Sequence, residues 1–235
     1  MKEKSIIKKT TLIHNYSKLE AWLYDTIANR ASNLQLYFFE QGNLTNIFAE
    51  VHERYVLDVG CGGGQTAIRL KEIYPHLSIT GIDLSELMIA RARKRTQRKG
   101  FVLKFQIADA QALPFPDESF DVVYSLGSVK HWPDPLLGIA ECWRVLKQGG
   151  ELLLTDNISD ATREQVIRFY EIAGFPKLFK KPVTSIMYKR MFRPACPMET
   201  YYQIARQLKM PLGTVSQLQF MPTFLFRTQK PLSSF

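Results

Sequence analysis

The fold is decided by the stretch Val56-Leu57-Asp58-Val59-Gly60-Cys61-Gly62-Gly63-Gly64. An apolar run that ends in glycines is typical of a buried parallel strand that turns directly into a helix. Glycines in such a turn let the backbone approach a ligand closely, and the following helix aims its N–H groups at an anion. Four glycines in five positions exceed what a tight turn alone needs. This stretch therefore predicts a strand, a ligand-binding loop and a helix.

Outward from this stretch, residues 55–156 alternate between short apolar runs and segments with helical spacing. The apolar runs predict five strands, at Tyr55–Val59, Leu77–Ile82, Leu103–Ala108, Phe120–Leu126 and Glu151–Thr155. The intervening segments predict helices at Gln65–Tyr74, from the capping residue Ser85 to Gly100, and at Leu136–Leu146. Five strand–helix steps in about 100 residues predict a doubly wound parallel sheet.

The flanking segments predict further helices and a closing hairpin. Residues 15–50 carry apolar side chains at three- and four-residue steps, which predicts two or three helices. Helical spacing returns at Thr162–Ala173 and Met198–Leu208, and β-like runs follow at Thr214–Phe220 and Thr223–Arg227. We therefore expect an α/β fold with a Rossmann-like, seven-stranded, mostly parallel sheet. Helices should cover both faces, with an antiparallel final β-hairpin and a helical cap.

Composition narrows the class of protein. The chain has 235 residues, 46% apolar and 23% charged, as in globular proteins rather than in disordered, collagenous or coiled-coil chains. No apolar run approaches the roughly 20 residues of a membrane-spanning helix. The three cysteines are far apart, so neither a disulfide framework nor a metal site is predicted. Because no apolar h-region follows the basic N-terminus, we expect a cytoplasmic protein.

Two carboxylates end the second and third predicted strands. Asp83 lies 23 residues after Gly60 and can accept hydrogen bonds from both ribose hydroxyls of an adenosyl cofactor. Asp109 lies 26 residues after Asp83. Nicotinamide and methionine adenosyl cofactors share the ribose, so Asp83 alone does not distinguish them. A dinucleotide fingerprint would need glycine where this chain has Gln65, which makes a nicotinamide-dependent dehydrogenase the weakest hypothesis.

Three further segments complete a family pattern. They are Leu113–Val123 (LPFPDESFDVV), Ser125–Asp134 (SLGSVKHWPD) and Arg144–Gly150 (RVLKQGG). With the glycine loop and the two carboxylates, they resemble the class I S-adenosylmethionine-dependent methyltransferases. The last two of these segments resemble the ubiquinone/menaquinone-biosynthesis-type branch, which acts on small molecules. The resemblance covers roughly residues 55–156 and is specific as a set.

The resemblance implies S-adenosyl-L-methionine as the cofactor and S-adenosyl-L-homocysteine as the product. It assigns the methionine part to the glycine loop, the ribose to Asp83, the adenine edge to Asp109 and the sulfonium end to Ser125 and Leu126. The cofactor-binding residues that it implies are Asp58, Gly60, Cys61, Gly62, Gly64, Gln65, Asp83, Leu84, Met88, Asp109, Ala110, Ser125 and Leu126.

The same resemblance divides the chain into four segments. The core, at 51–156, would bind the cofactor. An N-terminal helical cap at 1–50 and a helical substrate-cap insertion at 157–211 would flank it. A C-terminal β-hairpin at 212–235 would complete the sheet.

The chemistry that this cofactor implies needs little covalent help from the protein. The sulfonium methyl is a strong electrophile, so positioning of the nucleophile along the S–C axis can supply on the order of 7–11 kcal/mol. A general base matters only when the nucleophile carries a proton of high pKa. His131 is the first candidate base, although its segment could simply shape a loop. Tyr24 and Tyr16 could line the pocket, but a packing role is favoured for each, and Cys61 is assigned to packing.

The net charge of +9, from 31 basic and 22 acidic residues, bears on the acceptor. One basic cluster falls on the helix that Ser85 begins and favours a solvated face. A second cluster, interleaved with aromatic residues, lies in the predicted substrate cap at Lys177, Lys180, Lys181, Lys189, Arg190 and Arg193. It suits an anionic, partly apolar acceptor, a peripheral membrane contact or single-stranded nucleic acid. Oligomeric state is left open.

The favoured interpretation is methyl transfer to a small-molecule or lipid-like acceptor. An RNA or DNA methyltransferase that uses the basic surface is an alternative, as is a non-catalytic cofactor-binding module. Ser125-Leu126-Gly127-Ser128 stands at the end of the fourth strand, where exocyclic-amine nucleic-acid methyltransferases carry [Asp/Asn/Ser]-Pro-Pro-aromatic. This difference disfavours a nucleic-acid acceptor.

Overall fold

The alternation of strand and helix signals produces a single mixed sheet. The computed structural model describes residues 32–50, 52–172, 192, 194–211, 213–218 and 221–232. In these residues the helices are α1 Ser32–Gln41, α2 Leu44–Ala49, α3 Gln65–Ile73, α4 Glu86–Lys99, α5 Pro135–Val145, α6 Arg163–Ile172 and α7 Met198–Gln207. The strands are β1 Tyr55–Val59, β2 Ser78–Asp83, β3 Lys104–Ile107, β4 Phe120–Leu126, β5 Leu146–Asn157, β6 Val215–Gln217 and β7 Thr223–Gln229.

The sheet has the strand order β3-β2-β1-β4-β5-β7-β6. Strands β1 to β5 pair in parallel, whereas β7 is antiparallel to both β5 and β6. The predicted fold class, with its antiparallel final hairpin, is confirmed. Because the strand order reverses between β1 and β4, their carboxyl ends open a crevice of the kind in which α/β sheets bind ligands.

Local sequence signals set the helix ends that border this crevice. The Ser85 hydroxyl accepts from the backbone N–H of Met88 and caps α4, which Gly100 ends in the left-handed conformation. At α5, the Asp134 carboxylate accepts from two backbone N–H groups, and Pro135 occupies the first helical position. These caps fix where the loops after β2 and β4 stop.

Two apolar cores lie on opposite faces of the sheet. One holds residues from α1 to α4 and from α6, and includes Phe39, which meets Tyr124 of β4 edge-on at 5.1 Å. The other holds residues from α5 and α7, and includes Tyr201, which stacks on Phe224 of β7 at 3.8 Å. Helix α7 falls within the segment that the sequence assigned to a substrate cap, yet it packs directly on the sheet.

Strand β5 differs most from its predicted bounds. It runs from Leu146 to Asn157, not from Glu151 to Thr155, so it begins where α5 ends. Leu146 pairs with Phe120, and the register shifts before Val122 pairs with Glu151. The two glycines at 149 and 150 therefore lie within an irregular strand start and do not end the helix. No helix in the described part of the chain has the length and apolar character that crossing a bilayer requires.

Candidate active site

The glycine loop after β1 is tied to the end of β2. The backbone N–H groups of Gly60 and Cys61 both donate to the carbonyl of Ile82, each at 2.8 Å. Gly60, Gly62 and Gly64 have φ values of 76°, 52° and 76°, a region in which side chains other than glycine are strained. The loop therefore turns back over the neighbouring strand before α3 begins.

Steric fit explains two of these glycines. A Cβ at Gly60 would lie 2.0 Å from the Ser128 hydroxyl oxygen, on the segment that follows β4. A Cβ at Gly64 would lie 2.9 Å from both Ala92 of α4 and the Phe105 ring of β3. The loop is thus packed between α4, β3 and the segment after β4, which leaves its backbone as the surface that a ligand can approach.

Asp83 is held by the loops on either side of it. Its Oδ2 accepts from the Gly62 N–H at 2.9 Å, and its Oδ1 accepts from the Ser85 N–H at 2.8 Å. Burial raises the pKa of this carboxyl, and the two backbone donors oppose the rise. Because each carboxylate oxygen has a second lone pair, Asp83 can still accept one hydrogen bond at each oxygen. This arrangement matches the two vicinal hydroxyls of a ribose.

Asp58 is buried under the glycine loop at an exposed fraction of 3%. Burial raises its pKa to about 7; the nearby Tyr124 hydroxyl lowers it and the charge of Asp83 raises it further. Among the described residues, neither Asp58 Oδ2 nor the Tyr124 hydroxyl has a direct hydrogen-bond partner. A buried carboxylate in this state favours a cationic or hydrogen-bond-donating ligand group nearby.

Apolar side chains stand beside the carboxylates at the ends of β2 and β3. Leu84 is 58% exposed and Ile107 is 50% exposed, which suits contact with a flat ring. Asp109 accepts from the backbone N–H of Gln111 at 2.9 Å, and Ala110 is buried beside it. Ile107 was missed by sequence reasoning, although its place at the end of β3 could have indicated it.

The residues predicted to bind the cofactor differ in their exposure to solvent. Leu84 is open, whereas Met88 and Ser125 are buried, and the Ser125 hydroxyl has no hydrogen-bond partner among the described residues. Leu126 and Gln65 are half-buried, at the end of β4 and the start of α3. The carboxyl ends of β1, β2 and β4 bring these side chains to one edge of the sheet.

The segment after β4 carries the candidate base. Val129–His131 form a 3-10 turn, and the Ser128 hydroxyl accepts from the Trp132 indole N–H at 3.0 Å. His131 is exposed at this edge of the sheet. Tyr16 and Tyr24 lie outside the described residues. The basic residues of the cluster between Lys177 and Arg193 also lie outside them.

Two features at this edge were missed by sequence reasoning. Lys130 forms a buried ion pair with Asp156 of β5 at 2.8 Å. Arg95 of α4 donates to the carbonyl of Gly63 in the glycine loop at 2.6 Å. Asp156 directly follows the predicted fifth strand, as Asp83 follows the predicted second strand, and that position was the available signal. Arg95 was assigned to a solvated helix face, but it also braces the loop.

Cys61 shows no sign of nucleophilic activation. Burial raises the pKa of its thiol, and the charges of Asp58 and Asp83 raise it further. A thiol of raised pKa holds its proton and attacks poorly. The packing role predicted for Cys61 fits this environment.

The chain resembles solved and curated methyltransferases. A candidate S-adenosyl-L-methionine-dependent methyltransferase from Methanococcus maripaludis superposes with a TM-score of 0.70 at 20% identity, covering 94% of this chain and 97% of that one. An S-adenosylmethionine-dependent methyltransferase from Aquifex aeolicus gives a TM-score of 0.61 at 17% identity, covering 87% of this chain and 96% of that one. These TM-scores show that the chain shares the fold of the two proteins.

The sequence matches cover a smaller part of the chain than the structural superpositions do. Residues 57–154 match the family model described as a methyltransferase domain. A demethylmenaquinone methyltransferase from Deinococcus radiodurans is 42% identical over 44% of this chain and 43% of its own length. A 2-methyl-6-phytyl-1,4-hydroquinone methyltransferase from Synechocystis is 40% identical over 49% of this chain and 36% of its own length. The matched segments thus span less than half of these relatives.

The match covers residues 57–154, the part of the chain that holds the glycine loop, Asp83 and Asp109. The predicted resemblance is confirmed, and the family and fold imply S-adenosyl-L-methionine as the cofactor. The residues present fit that cofactor: glycines where a Cβ would clash, a fixed carboxylate on the strand beside the switch point, and a buried carboxylate with one oxygen that has no hydrogen-bond partner among the described residues.

Proposed function

We propose that this protein is an S-adenosylmethionine-dependent methyltransferase that acts on a small-molecule or lipid-like acceptor. The observation that carries the proposal is Asp83, whose two oxygens are fixed by loops from two strands beside the glycine loop. A carboxylate held in this way on the strand beside a topological switch point is suited to a ribose diol. The matched domain and the named relatives support the same activity.

In this proposal each residue has a role toward the cofactor. The backbone of Gly60 to Gly64 and the carboxyl of Asp58 bind the methionine part, and Asp83 binds the ribose. Leu84 and Ile107 contact the adenine, with Asp109 and Ala110 at its edge. The remaining predicted contacts are Cys61, Gln65, Met88, Ser125 and Leu126.

When bound, the cofactor supplies an electrophilic methyl group on a sulfonium. The protein then has to orient a nucleophile and exclude water, because positioning provides most of the rate enhancement in such a displacement. The segment Gly127–His131 lies where Leu126 ends β4, so it faces the methyl in this proposal. His131 would serve as a general base for an acceptor whose proton has a high pKa. Tyr24, from the N-terminal segment, is proposed as a second pocket residue.

The acceptor class is inferred from the relatives and from composition. The named relatives include methyltransferases of a demethylmenaquinone and of a hydroquinone, and one from Amycolatopsis mediterranei of 27-O-demethylrifamycin SV. We propose an apolar acceptor of this general kind, with an anionic group that the net charge of +9 would favour. No disulfide joins the buried cysteines Cys61, Cys142 and Cys196 of the described residues, which supports the proposal of a reducing, cytoplasmic compartment.

The first experiment measures cofactor binding by calorimetry. We expect both S-adenosylmethionine and S-adenosylhomocysteine to bind with one site per chain. Heat at the level of buffer dilution for both compounds would overturn the proposal.

The second experiment incubates the protein with radiolabelled S-adenosylmethionine and three acceptors: a reduced demethylmenaquinone, total RNA and duplex DNA. Label in the quinol supports the proposed class. Label only in a nucleic acid would replace it with the alternative activity, and cofactor binding without transfer to any of the three acceptors would favour a non-catalytic module.

A third experiment compares the pH profile of kcat in the wild type and in a His131→Ala variant. A flattened profile in the variant would support the role of His131 as a base, whereas an unchanged profile would exclude that role.

A further inference from the structure

A buried ion pair joins the segment after β4 to the end of β5. Lys130 Nζ lies 2.8 Å from Asp156 Oδ1, with side-chain exposures of 8% and 0%. The same ammonium donates to the carbonyl of Gly127. Asp156 also accepts from the backbone N–H groups of Lys130 and Asn157, each at 2.7 Å. The Asp156 carboxylate therefore holds the backbone and the ammonium of Lys130, and that ammonium in turn holds Gly127.

Burial of this pair is not explained by stability alone. The cost of removing two charges from water commonly cancels their attraction, and apolar side chains of similar volume often stabilise as well. The position of the pair gives a local reason for it. Lys130 holds Gly127, which has a φ of 75°, directly after the strand end that the cofactor's sulfonium would approach. The adjoining Ser128 packs on Gly60 of the glycine loop.

A lysine at this edge creates an electrostatic problem for the proposed function. S-adenosylmethionine carries a positive sulfonium, and an unneutralised ammonium beside it would weaken binding. S-adenosylhomocysteine lacks both that charge and the methyl group. The two compounds therefore report separately on the charge at the methyl end and on the rest of the site.

We propose that Asp156 is a positioning residue that neutralises Lys130, so that a lysine can hold the Gly127–His131 segment at the methyl-transfer end without repelling the cationic cofactor. This inference rests on the proposed function, because it needs the sulfonium at the carboxyl end of β4. It assigns to β5 a part in cofactor recognition through charge rather than through direct contact.

The test compares dissociation constants of the two compounds in three variants at pH 6.5, where most lysines keep their proton. The quantity is the dissociation constant of S-adenosylmethionine divided by that of S-adenosylhomocysteine. Asp156→Asn leaves the ammonium unneutralised and should raise this ratio roughly fivefold to tenfold. Lys130→Met leaves the carboxylate and should lower it, and the double variant should return it close to the wild-type value.

A matched control lies at the opposite edge of the same two strands. Lys147 and Asp121 form an ion pair at 2.9 Å between the starts of β5 and β4. Asp121→Asn and Lys147→Met make the same changes of charge there, and the ratio should stay at the wild-type value. Thermal melting with saturating S-adenosylhomocysteine verifies that each variant is folded.

The outcomes separate this inference from the proposed function. If the wild-type protein binds neither compound, the proposed function fails. If the wild type binds both but the ratio is unchanged in every folded variant, only the role of Asp156 is overturned. A shift of the same sign in Asp156→Asn and Lys130→Met would also overturn it, because loop displacement and not charge would then be responsible. If Asp156→Asn does not fold, Lys130→Met and the double variant decide by whether the ratio falls and then recovers.

Discussion

Two buried carboxylates on opposite edges of the sheet are stabilised in different ways. Glu151, near the start of the regular part of β5, is 8% exposed, and its pKa is raised by burial but lowered by the guanidinium groups of Arg227 and Arg54. Asp58, beneath the glycine loop, is 3% exposed; burial raises its pKa, and the neighbouring charge of Asp83 raises it further. At the edge formed by the amino ends of the parallel strands (the amino edge), Glu151 has two arginines beside it. At the edge formed by their carboxyl ends (the carboxyl edge), Asp58 has another acid, Asp83, beside it.

We propose that this difference separates an edge that only stabilises the fold from the edge that binds the cofactor. The other ion pairs at the amino edge, such as Lys147 with Asp121, are partly exposed, and pairs of that kind contribute little to stability. At the carboxyl edge, Asp58 and Asp83 lie close together, at the place where the proposed site would receive the ammonium and sulfonium groups of S-adenosylmethionine. We infer that the neighbouring Asp58 and Asp83 carboxylates destabilise the free protein and that a bound cationic ligand offsets this destabilisation.

The largest expected effect, and the strongest test of this comparison, is the loss of cofactor affinity in Asp83→Ala. Loss of two hydrogen bonds to a charged acceptor, at about 1.5–3 kcal/mol each, predicts a loss of at least about a hundredfold in affinity for S-adenosylmethionine. Titration calorimetry measures it. The control is Asp121→Ala, which removes a carboxylate that accepts from the Tyr55 backbone N–H at the amino edge and should leave affinity unchanged. Equal affinities for Asp83→Ala and wild type would discredit the site.

The next effect compares two glycines with positive φ. Gly60→Ala should reduce the free energy of unfolding by about 2–4 kcal/mol, because backbone strain adds to a clash with Ser128. Gly100→Ala, at the end of α4, has a φ of 69° but nothing within 4 Å of its Cβ, so it should cost about 1–2 kcal/mol. Urea denaturation measures both. A larger loss for Gly100→Ala would contradict the steric account.

The third effect is a pH dependence that belongs to Asp58. Its pKa is 3.8 in a model peptide and about 7 in the fold, so the folded state binds more protons between these values. As the pH rises from about 4 to about 7, the ionisation of Asp58 therefore lowers the free energy of unfolding. Below this pH range Asp58 has no destabilising effect, and above it the destabilisation stays constant. Asp58→Asn should be more stable than wild type at pH 8, by on the order of 2–4 kcal/mol, and closer to it at pH 4.5.

Urea denaturation of the free protein at both pH values tests this prediction. Glu151→Gln provides the comparison, since Arg227 and Arg54 oppose burial there and its pH-dependent change should be smaller. The interpretation fails if the stability difference between Asp58→Asn and wild type is the same at pH 4.5 and pH 8.

The smallest effect concerns Arg95, which donates to the Gly63 carbonyl. Arg95→Ala should weaken S-adenosylmethionine binding by about twofold to tenfold, because a single side-chain hydrogen bond contributes about 0.5–1.5 kcal/mol. Arg98→Ala, an exposed position on the same helix, should leave binding unchanged. Parallel calorimetric titrations of the two variants decide; equal affinities would mean that the brace is dispensable.

Sequence patterns were sufficient for the parallel core and for the residues next to each strand end. The apolar run before Gly60, the carboxylates at Asp83 and Asp109 and the cap at Ser85 are local signals, and the structure has each at a strand or helix boundary. The irregular start of β5 was not predictable in this way. Its glycines resemble a helix stop, and the pairing of Leu146 with Phe120 depends on a neighbouring strand.

By itself, the sequence determined the fold class, the glycine loop and the carboxylates at the strand ends, because these depend on the conformation of short segments and on the periodicity of apolar residues. The tertiary structure alone decided that Lys130 meets Asp156, that Arg95 reaches Gly63, and that Asp58 is buried beside Asp83. Such contacts join residues from different strands and helices. Their strength depends on burial and local dielectric, which no single segment specifies.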